Sequence, residues 1–356
     1  MKVLFYLGHP AHYHLFKHAI KTFGNDRAIV LIKSKDILEK LLQEEGVNYF
    51  NIDEKAKPAK NKLEILRNFG KRMLRIAKIV RQHKPKLLAG SAAELTVLGK
   101  IFRIPSCVFF EDDFEKVADF AKIAGPMATH LICPDCCSAW KWNYKKIPYN
   151  SYHELAYLHP DHFTPDVNKV SNIFDLNTKN YIIRFSELGA YHDVGKSGIN
   201  DEIASRLISM LEKHGKVYIT SERKLPPQFE PYRIVIRAAD IHHALYYADM
   251  FIGDSQTMTA ESAVLGTPAL RFNDFVGELG YLEDLEHVYG LTYGVRTNNV
   301  EALYSKLEEL LSDPNLKETF AQRRLKMLAA KMNFADWMIR FITDYPKSIP
   351  KKTNGD

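Results

Sequence analysis

Two stretches carry side chains suited to phosphate. Residues 248–272 read ADMFIGDSQTMTAESAVLGTPALRF. The apolar run 250–252 gives way to Gly253-Asp254-Ser255. Asp254 or Ser255 can cap a helix that continues through Gln256, Thr257 and Glu261. Gly266 stops that helix in the left-handed conformation, Pro268 follows, and 269–272 makes the next strand. A helix that begins just past a strand end presents unbonded N–H groups and a positive dipole end, which suit a phosphate. Glu261 falls seven residues after Asp254, about two turns into the helix; on the plainest reading it is only a solvated glutamate of a βα unit. The second stretch is Arg184-Phe185-Ser186-Glu187-Leu188-Gly189-Ala190-Tyr191-His192, at the end of a strand expected over 181–185. Arg184 can grip a diphosphate through two N–H groups, and Ser186 and the Gly189 backbone can add donors; the alternative is an ordinary βα loop.

Proton transfer calls for other groups. Gly8-His9-Pro10-Ala11-His12-Tyr13-His14 places three histidines after a first strand over 3–7. Histidine titrates near neutral pH, so His9 or His12 can serve as a general base. The spacing His-x-x-His-x-His also suggests a metal. No carboxylate lies nearby, however, and a loop running into a helix sends the rings in different directions, so no metal is expected. Glu111-Asp112-Asp113 follows a strand over 106–110. These carboxylates can supply a base, bind a cation or cap a helix near Lys116; Glu111, nearest the strand end, is the candidate for chemistry. Cys133-Pro134-Asp135-Cys136-Cys137 has the spacing of a redox pair or half a zinc site. With no second pair in the chain, it reads as small buried residues at a strand end.

The elements that must position these groups alternate. Strands over 3–7, 28–32, 47–52, 86–89 and 106–110 interleave with helices over 15–23, 36–45, 63–83 and 92–102. A second series has strands over 181–185, 216–220, 232–236 and 250–252, with helices over 199–214 and 241–247. Such alternation predicts an α/β chain with parallel sheets covered by helices, whose ligands sit at the carboxyl ends of the strands. Between the series, Pro148, Pro160 and Pro165 break the rhythm. At 356 residues, two domains are expected: an N-terminal Rossmann-like domain over 1–150, a linker over 151–170, and a second domain over 171–333. An amphipathic helix over 334–345 can pack back on the first domain, and 346–356 forms a polar tail.

Hydrophobic residues at 46% and charged residues at 26% are ordinary for a globular chain. No run of about 18 apolar residues occurs, so no membrane span is expected. The apolar start before Gly8 is too short for a signal peptide. Four cysteines give no disulfide framework, so the cytoplasm is the expected compartment.

These motifs together resemble a family. Gly8-His9-Pro10 with its histidines, Tyr157-Leu158-His159-Pro160 with Phe163-Thr164-Pro165-Asp166, and Asp254-Ser255 through Gly266-Thr267-Pro268 are similar to those of an uncharacterised family of GT-B glycosyltransferases known only by prediction. That family is itself similar to the non-hydrolysing UDP-N-acetylglucosamine 2-epimerases. The resemblance implies two Rossmann-like domains with parallel sheets facing a central cleft, the second holding most of the nucleotide. It implies that Arg184, Ser255, Gln256 and Thr257 meet a diphosphate and that Glu261 accepts the ribose hydroxyls. No cofactor is implied, since the nucleotide-sugar is a substrate. The chain departs from the epimerases where they carry Gly-Thr-Arg-Pro-Glu and His-Gly-Asp turns; here Gly8-His9-Pro10-Ala11-His12 and Ala89-Gly90-Ser91 stand instead. Only Glu111 falls where one of their catalytic carboxylates falls.

The expected activity is therefore transfer of a sugar from a nucleotide donor, UDP-linked above others, to a cell-surface polysaccharide or lipid-linked acceptor. A UDP-sugar 2-epimerase-like isomerase and a non-catalytic binder of sugar nucleotides or nucleic acid are the alternatives. From Lys55 to Lys86 twelve cations face Glu64 alone, on a chain of net charge +6. The basic helix over 63–83 is either a solvated face or, through Lys71, Arg72, Arg75 and Lys78, a peripheral contact with the anionic inner face of a membrane. Nucleic acid is disfavoured, because no recognition motif accompanies the charge.

Overall fold

The computed structural model describes residues 1–33, 36–53, 62–186 and 198–350. The chain divides into two units. Unit 1 joins Met1–Tyr157 to Met332–Asp356, and unit 2 is Leu158–Lys331.

Unit 1 begins with β1 (Val3–Leu7), α1 (Pro10–Arg27), β2 (Ala28–Ile32), α2 (Asp36–Glu44), β3 (Tyr49–Asn51) and α3 (Lys62–His83). It continues with β4 (Leu87–Gly90), α4 (Ala93–Phe102), β5 (Ser106–Phe109), α5 (Ala118–Met127), β6 (His130–Pro134) and β7 (Lys146–Tyr149). β1 and β2 are aliphatic and aromatic at every position, and every position is buried. That is the signature of a parallel strand covered on both faces. The seven strands lie in the order β3-β2-β1-β4-β5-β6-β7, all pairs parallel. The chain builds outward from β1 to β3, then returns to the other side of β1 with β4. The crevice at such a reversal, outside the carboxyl ends of β1 and β4, is where open α/β sheets bind ligands. Gly90 allows the two strands to close there: at φ 150°, a Cβ would stand 2.7 Å from the Tyr6 carbonyl oxygen.

The sequence left 147–167 without regular structure, yet β7 forms the sheet edge and a 3-10 turn, His153–Ala156, packs with unit 1. Long-range packing, invisible to local periodicity, recruits this proline-containing segment; Pro148 is tolerated because β7 is an edge strand.

Unit 2 comprises β8 (Lys179–Phe185), α6 (Asp201–Leu211), β9 (Gly215–Ser221), α7 (Ile241–Tyr247), β10 (Met250–Gly253) and α8 (Gln256–Leu265). After these come β11 (Ala269–Phe272), α9 (Gly280–His287), β12 (Thr292–Val295), α10 (Val300–Ser312) and α11 (Leu316–Ala330). Its sheet runs β12-β11-β10-β8-β9, again parallel. The core packs Ile183, Phe185 and Ile252 of the sheet against Leu207 and Leu211 of α6 and Leu307 of α10. The order reverses between β8 and β10, so this unit too has its crevice between two neighbouring strand ends. A strand expected over 232–236 is reduced to one bridge, Ile219 to Arg233; a 3-10 turn, Pro227–Tyr232, takes up the residues just before it.

The chain finally returns to unit 1 as α12 (Phe334–Thr343), whose apolar face, including Phe334, Met338 and Phe341, is buried. Ser151 Oγ donates to the Met332 carbonyl at 2.7 Å, and the Phe334 ring stacks on Tyr149 at 3.9 Å. No described helix is long and apolar enough to cross a membrane.

Candidate functional site

The reversal point of unit 2 gathers the residues singled out for phosphate. Arg184 on β8 is the register partner of Gly253 on β10. The two strands approach so closely that a Cβ on Gly253 would lie 2.9 Å from that of Arg184. One residue beyond, Asp254 bridges the reversal. Its Oδ1 accepts from the Ser186 N–H at 2.7 Å and its Oδ2 from the Ile199 N–H at 3.2 Å. Burial pushes this carboxyl up, and the two N–H groups pull it back towards the ionised form. Asp254 thus uses its oxygens to hold Ser186 and Ile199 beside the β10 turn.

Ser255 is the N-cap of α8, accepting from the Met258 N–H at 3.3 Å. Its O–H remains able to donate. Gln256 and Thr257 follow, both half-buried, as the first two helical residues. Their N–H groups have no acceptor inside the helix. No acidic residue occupies the first turn of α8, so its positive end is not offset by one. Gly266 closes the helix in the left-handed conformation at φ 82°. The result is a short, buried helix whose N-terminal N–H groups point out of the carboxyl end of the central strand.

Arg184 is engaged on the β9 side. It donates to Thr220 Oγ1 at 2.8 Å and pairs with Glu222 at 2.5 Å. Glu222 is half exposed, at 45%, and the arginine mostly covered, at 14%. An anion of higher charge could replace Glu222 on this guanidinium. Glu261 is not solvated: its side chain is 7% exposed, and Oε1 lies 3.0 Å from Nε2 of the equally buried His242 on α7. Gly189 of the β8 loop lies outside the described residues.

In unit 1 the histidine turn lies at the other reversal point. α1 starts at Pro10, earlier than the expected 15, because proline is preorganised for the first turn. His9 is therefore the N-cap: its Nδ1 accepts from the Ala11 N–H at 3.2 Å. His12, in the first turn, accepts from the Gly8 N–H on Nδ1 at 3.1 Å. Each neutral imidazole must then carry its proton on Nε2. Both are arranged as hydrogen-bond donors through Nε2, since the basic nitrogen is already used.

Glu111 differs. Its side chain is 16% exposed, and Oε2 lies 3.4 Å from His153 Nδ1. Burial pushes its carboxyl well above the usual range, the Glu154 and Asp112 charges push further, and the backbone N–H of His153 pulls back. Burial and nearby His12 lower His153 to about 3, so it is neutral at physiological pH. Asp112 and Asp113 do not cap α5, whose N-cap is Val117; Asp113 instead accepts from the Ser138 N–H at 2.5 Å. Among the described residues no three His, Cys, Asp or Glu side chains are grouped to hold a metal ion. The four cysteines are free thiols, and burial pushes Cys133 up to about 12, which makes it a poor nucleophile.

The structure thus clusters Arg184, Ser186, Asp254, Ser255, Gln256 and Thr257 at one strand-end reversal, and brings His153 and Glu154 to Glu111. His153, Glu154 and His242 are missed by the sequence reading. Only the length of the break at 147–167 and the unusual His242-His243 pair hinted at them. The basic helix needs correction at Arg72, which is turned inward onto Glu94 at 2.7 Å; Arg75 stays exposed while donating to the Ile52 carbonyl at 2.6 Å. Lys55, Lys57 and Lys60 lie outside the described residues.

No curated protein matches the chain. Solved structures share its fold over nearly the whole length. A UDP-N-acetylglucosamine 2-epimerase is 13% identical with a TM-score of 0.63, the match covering 100% of this chain and 99% of that one. The spinosyn rhamnosyltransferase SpnG complexed with thymidine diphosphate is 12% identical with a TM-score of 0.64, covering 97% and 100%. HepE of Anabaena in complex with UDP and glucose is 14% identical with a TM-score of 0.64, covering 97% and 100%. The fold is that of GT-B glycosyltransferases and the UDP-N-acetylglucosamine 2-epimerases. A family model described as "Protein of unknown function (DUF354)" matches residues 1–275, and the chain belongs to that family.

Proposed function

We propose that this protein is a glycosyltransferase that moves a sugar from a nucleoside-diphosphate donor, UDP-linked first among them, to a polysaccharide or lipid-linked acceptor of the cell surface. The observation that carries this reading is the reversal point of unit 2. There α8 begins, with the N–H groups of Gln256 and Thr257 and the Ser255 hydroxyl at its start, just past the end of β10, and Arg184 stands at the end of the neighbouring β8. Two neighbours of the same fold are described with nucleoside diphosphates bound, which supports a diphosphate here. Glu261 is assigned to the ribose hydroxyls, sharing its carboxylate with His242.

In the proposed reaction the acceptor oxygen attacks the anomeric carbon of the donor. Its proton passes to a carboxylate, and the bond from the anomeric carbon to the diphosphate breaks with its electron pair on the diphosphate. The α8 N-terminus and Arg184 stabilise the departing charge. Of the three candidate bases, Glu111 fits best: a carboxyl raised by burial is a stronger base than a free one, whereas His9 and His12 have their basic nitrogens on backbone N–H groups. The turns after β1 and β4 carry no acid in place of the epimerases' catalytic groups, which disfavours epimerisation. Donor panels with and without acceptor, read by mass spectrometry, test the reading. Glycosylated acceptor and free nucleoside diphosphate are expected; a new sugar epimer without acceptor would mean an isomerase, and nucleotide binding without turnover on any acceptor a binder.

A further inference from the structure

Helix α3 has two faces, and unit 1 uses one of them. Ile76 and Val80 are buried in the core with residues of β1, β2 and β4. Arg72 adds a buried ion pair on the inward side, with Glu94 at 2.7 Å and Asp53 at 3.6 Å. The opposite face follows the helical spacing 63, 67, 70, 74, 78, 81: Leu63, Arg67, Gly70, Leu74, Lys78 and Arg81. Leu63 and Leu74 are 77% and 75% exposed, and Leu66 at the edge of this face is 67% exposed. Lys71 and Lys78 stand exposed beside them.

Three bare leucines interleaved with cations on one helix have no use in the core of unit 1. We propose that α3 docks unit 1 on an anionic lipid surface, with Leu63, Leu66 and Leu74 entering the boundary between headgroups and acyl chains, and Arg67, Lys71 and Lys78 meeting lipid phosphates. The charge of the face selects this occupant. The helix carries seven cations and one acid, Glu64. A second copy of the chain, paired through the same face, would set cations against cations. Nucleic acid would satisfy the cations and leave the leucines in water. An anionic bilayer takes both, because long basic side chains lay their stems along apolar surface while their heads reach the phosphates. Docking is independent of the catalytic reading, and its test uses no activity.

The experiment is co-sedimentation of the full chain with vesicles of phosphatidylcholine alone or mixed with phosphatidylglycerol, at low and high salt. Wild type is expected to pellet with the mixed vesicles and not with the neutral ones. The double variant Lys71→Gln, Lys78→Gln should lose about fivefold in partitioning per cation removed. The triple variant Leu63→Ser, Leu66→Ser, Leu74→Ser should lose about tenfold or more, and its remaining binding should vanish at high salt as the charges are screened. All five side chains are exposed, so the unfolding temperatures should match wild type and exclude misfolding. Absence of wild-type pelleting overturns docking. Equal partitioning of the triple variant and wild type overturns insertion of the leucines. A dimer seen by ultracentrifugation and lost in the triple variant would assign the face to a second copy and overturn the lipid assignment.

Discussion

Nε2 of His242 lies 3.0 Å from Oε1 of Glu261, and both side chains are buried between α7 and α8. The pair ties α7 to the helix proposed to hold the nucleotide, and Glu261 is the carboxylate proposed to meet the ribose hydroxyls. Glu261→Gln should weaken UDP binding by about 1–3 kcal/mol, the scale of a hydrogen bond to a charged group. It should also erase any preference for UDP over its 2′-deoxy analogue, which calorimetry with both ligands reads directly. Equal affinities of wild type and variant for UDP, with the fold intact, would leave Glu261 as a partner of His242 alone.

Arg184 offers a second test, because its present partner is a half-exposed glutamate. If diphosphate displaces Glu222, then Glu222→Gln should leave UDP affinity unchanged or raise it, since a competitor has been removed. Arg184→Gln should lower that affinity by roughly 2 kcal/mol, the loss of charge-assisted hydrogen bonds. Loss of affinity in both variants would show instead that the arginine–glutamate pair acts only as a brace between β8 and β9.

Glu111 sets a pH dependence. Its carboxyl is raised by burial and by the charges of Glu154 and Asp112, so it stays protonated to higher pH and becomes an active base only as pH rises through that raised value. The acidic limb of the kcat profile should therefore fall above the ordinary glutamate range near 4.3. Glu154→Gln removes one negative neighbour and should move that limb to lower pH. Glu111→Gln should cut turnover by roughly 10²–10⁴-fold while leaving UDP affinity in place. A limb that does not move in Glu154→Gln would remove Glu111 from the base position.

His153 contributes to stability with the opposite dependence. Its folded pKa is lowered from 6.5 to about 3. Its contribution is complete above pH 6.5 and is lost as pH falls towards 3, because the unfolded state takes the proton first. Between pH 7 and pH 5 this loss should amount to about 1–2 kcal/mol. Glu111, raised rather than lowered, gains over the acidic range, so wild type must be compared with a variant that keeps it. His153→Phe retains a ring beside Phe334, which stacks on His153 at 5.8 Å, and removes the titration. Urea unfolding at the two pH values should show a smaller decline for the variant than for wild type.

Much of this was legible locally. Continuous apolar runs such as 3–7 and 28–32 announce buried parallel strands, and the Ser255 cap with Gly266 brackets α8 because cap chemistry depends on neighbouring residues alone. The partners of the candidate groups were not legible. His242 meets Glu261 across 19 positions and His153 meets Glu111 across 42, contacts fixed by packing of whole elements. Basicity misled for the same reason: Arg72 reads as one more cation of α3, yet Glu94, brought alongside by α4, turns it inward. The exposure of Leu63 and Leu74 was equally hidden, since helical spacing identifies a face without saying which face the core takes.

The central claim, a diphosphate seat at the N-terminus of α8, is tested most directly by calorimetry of UDP on wild type and Thr257→Asp. An aspartate in the first turn favours the helix dipole by roughly 0.3–1 kcal/mol, so the variant should unfold at the same or a higher temperature than wild type. The same charge stands where the diphosphate would lie, and UDP affinity should fall at least about tenfold while uridine is affected less. A stable Thr257→Asp protein that binds UDP as tightly as wild type would contradict the assignment.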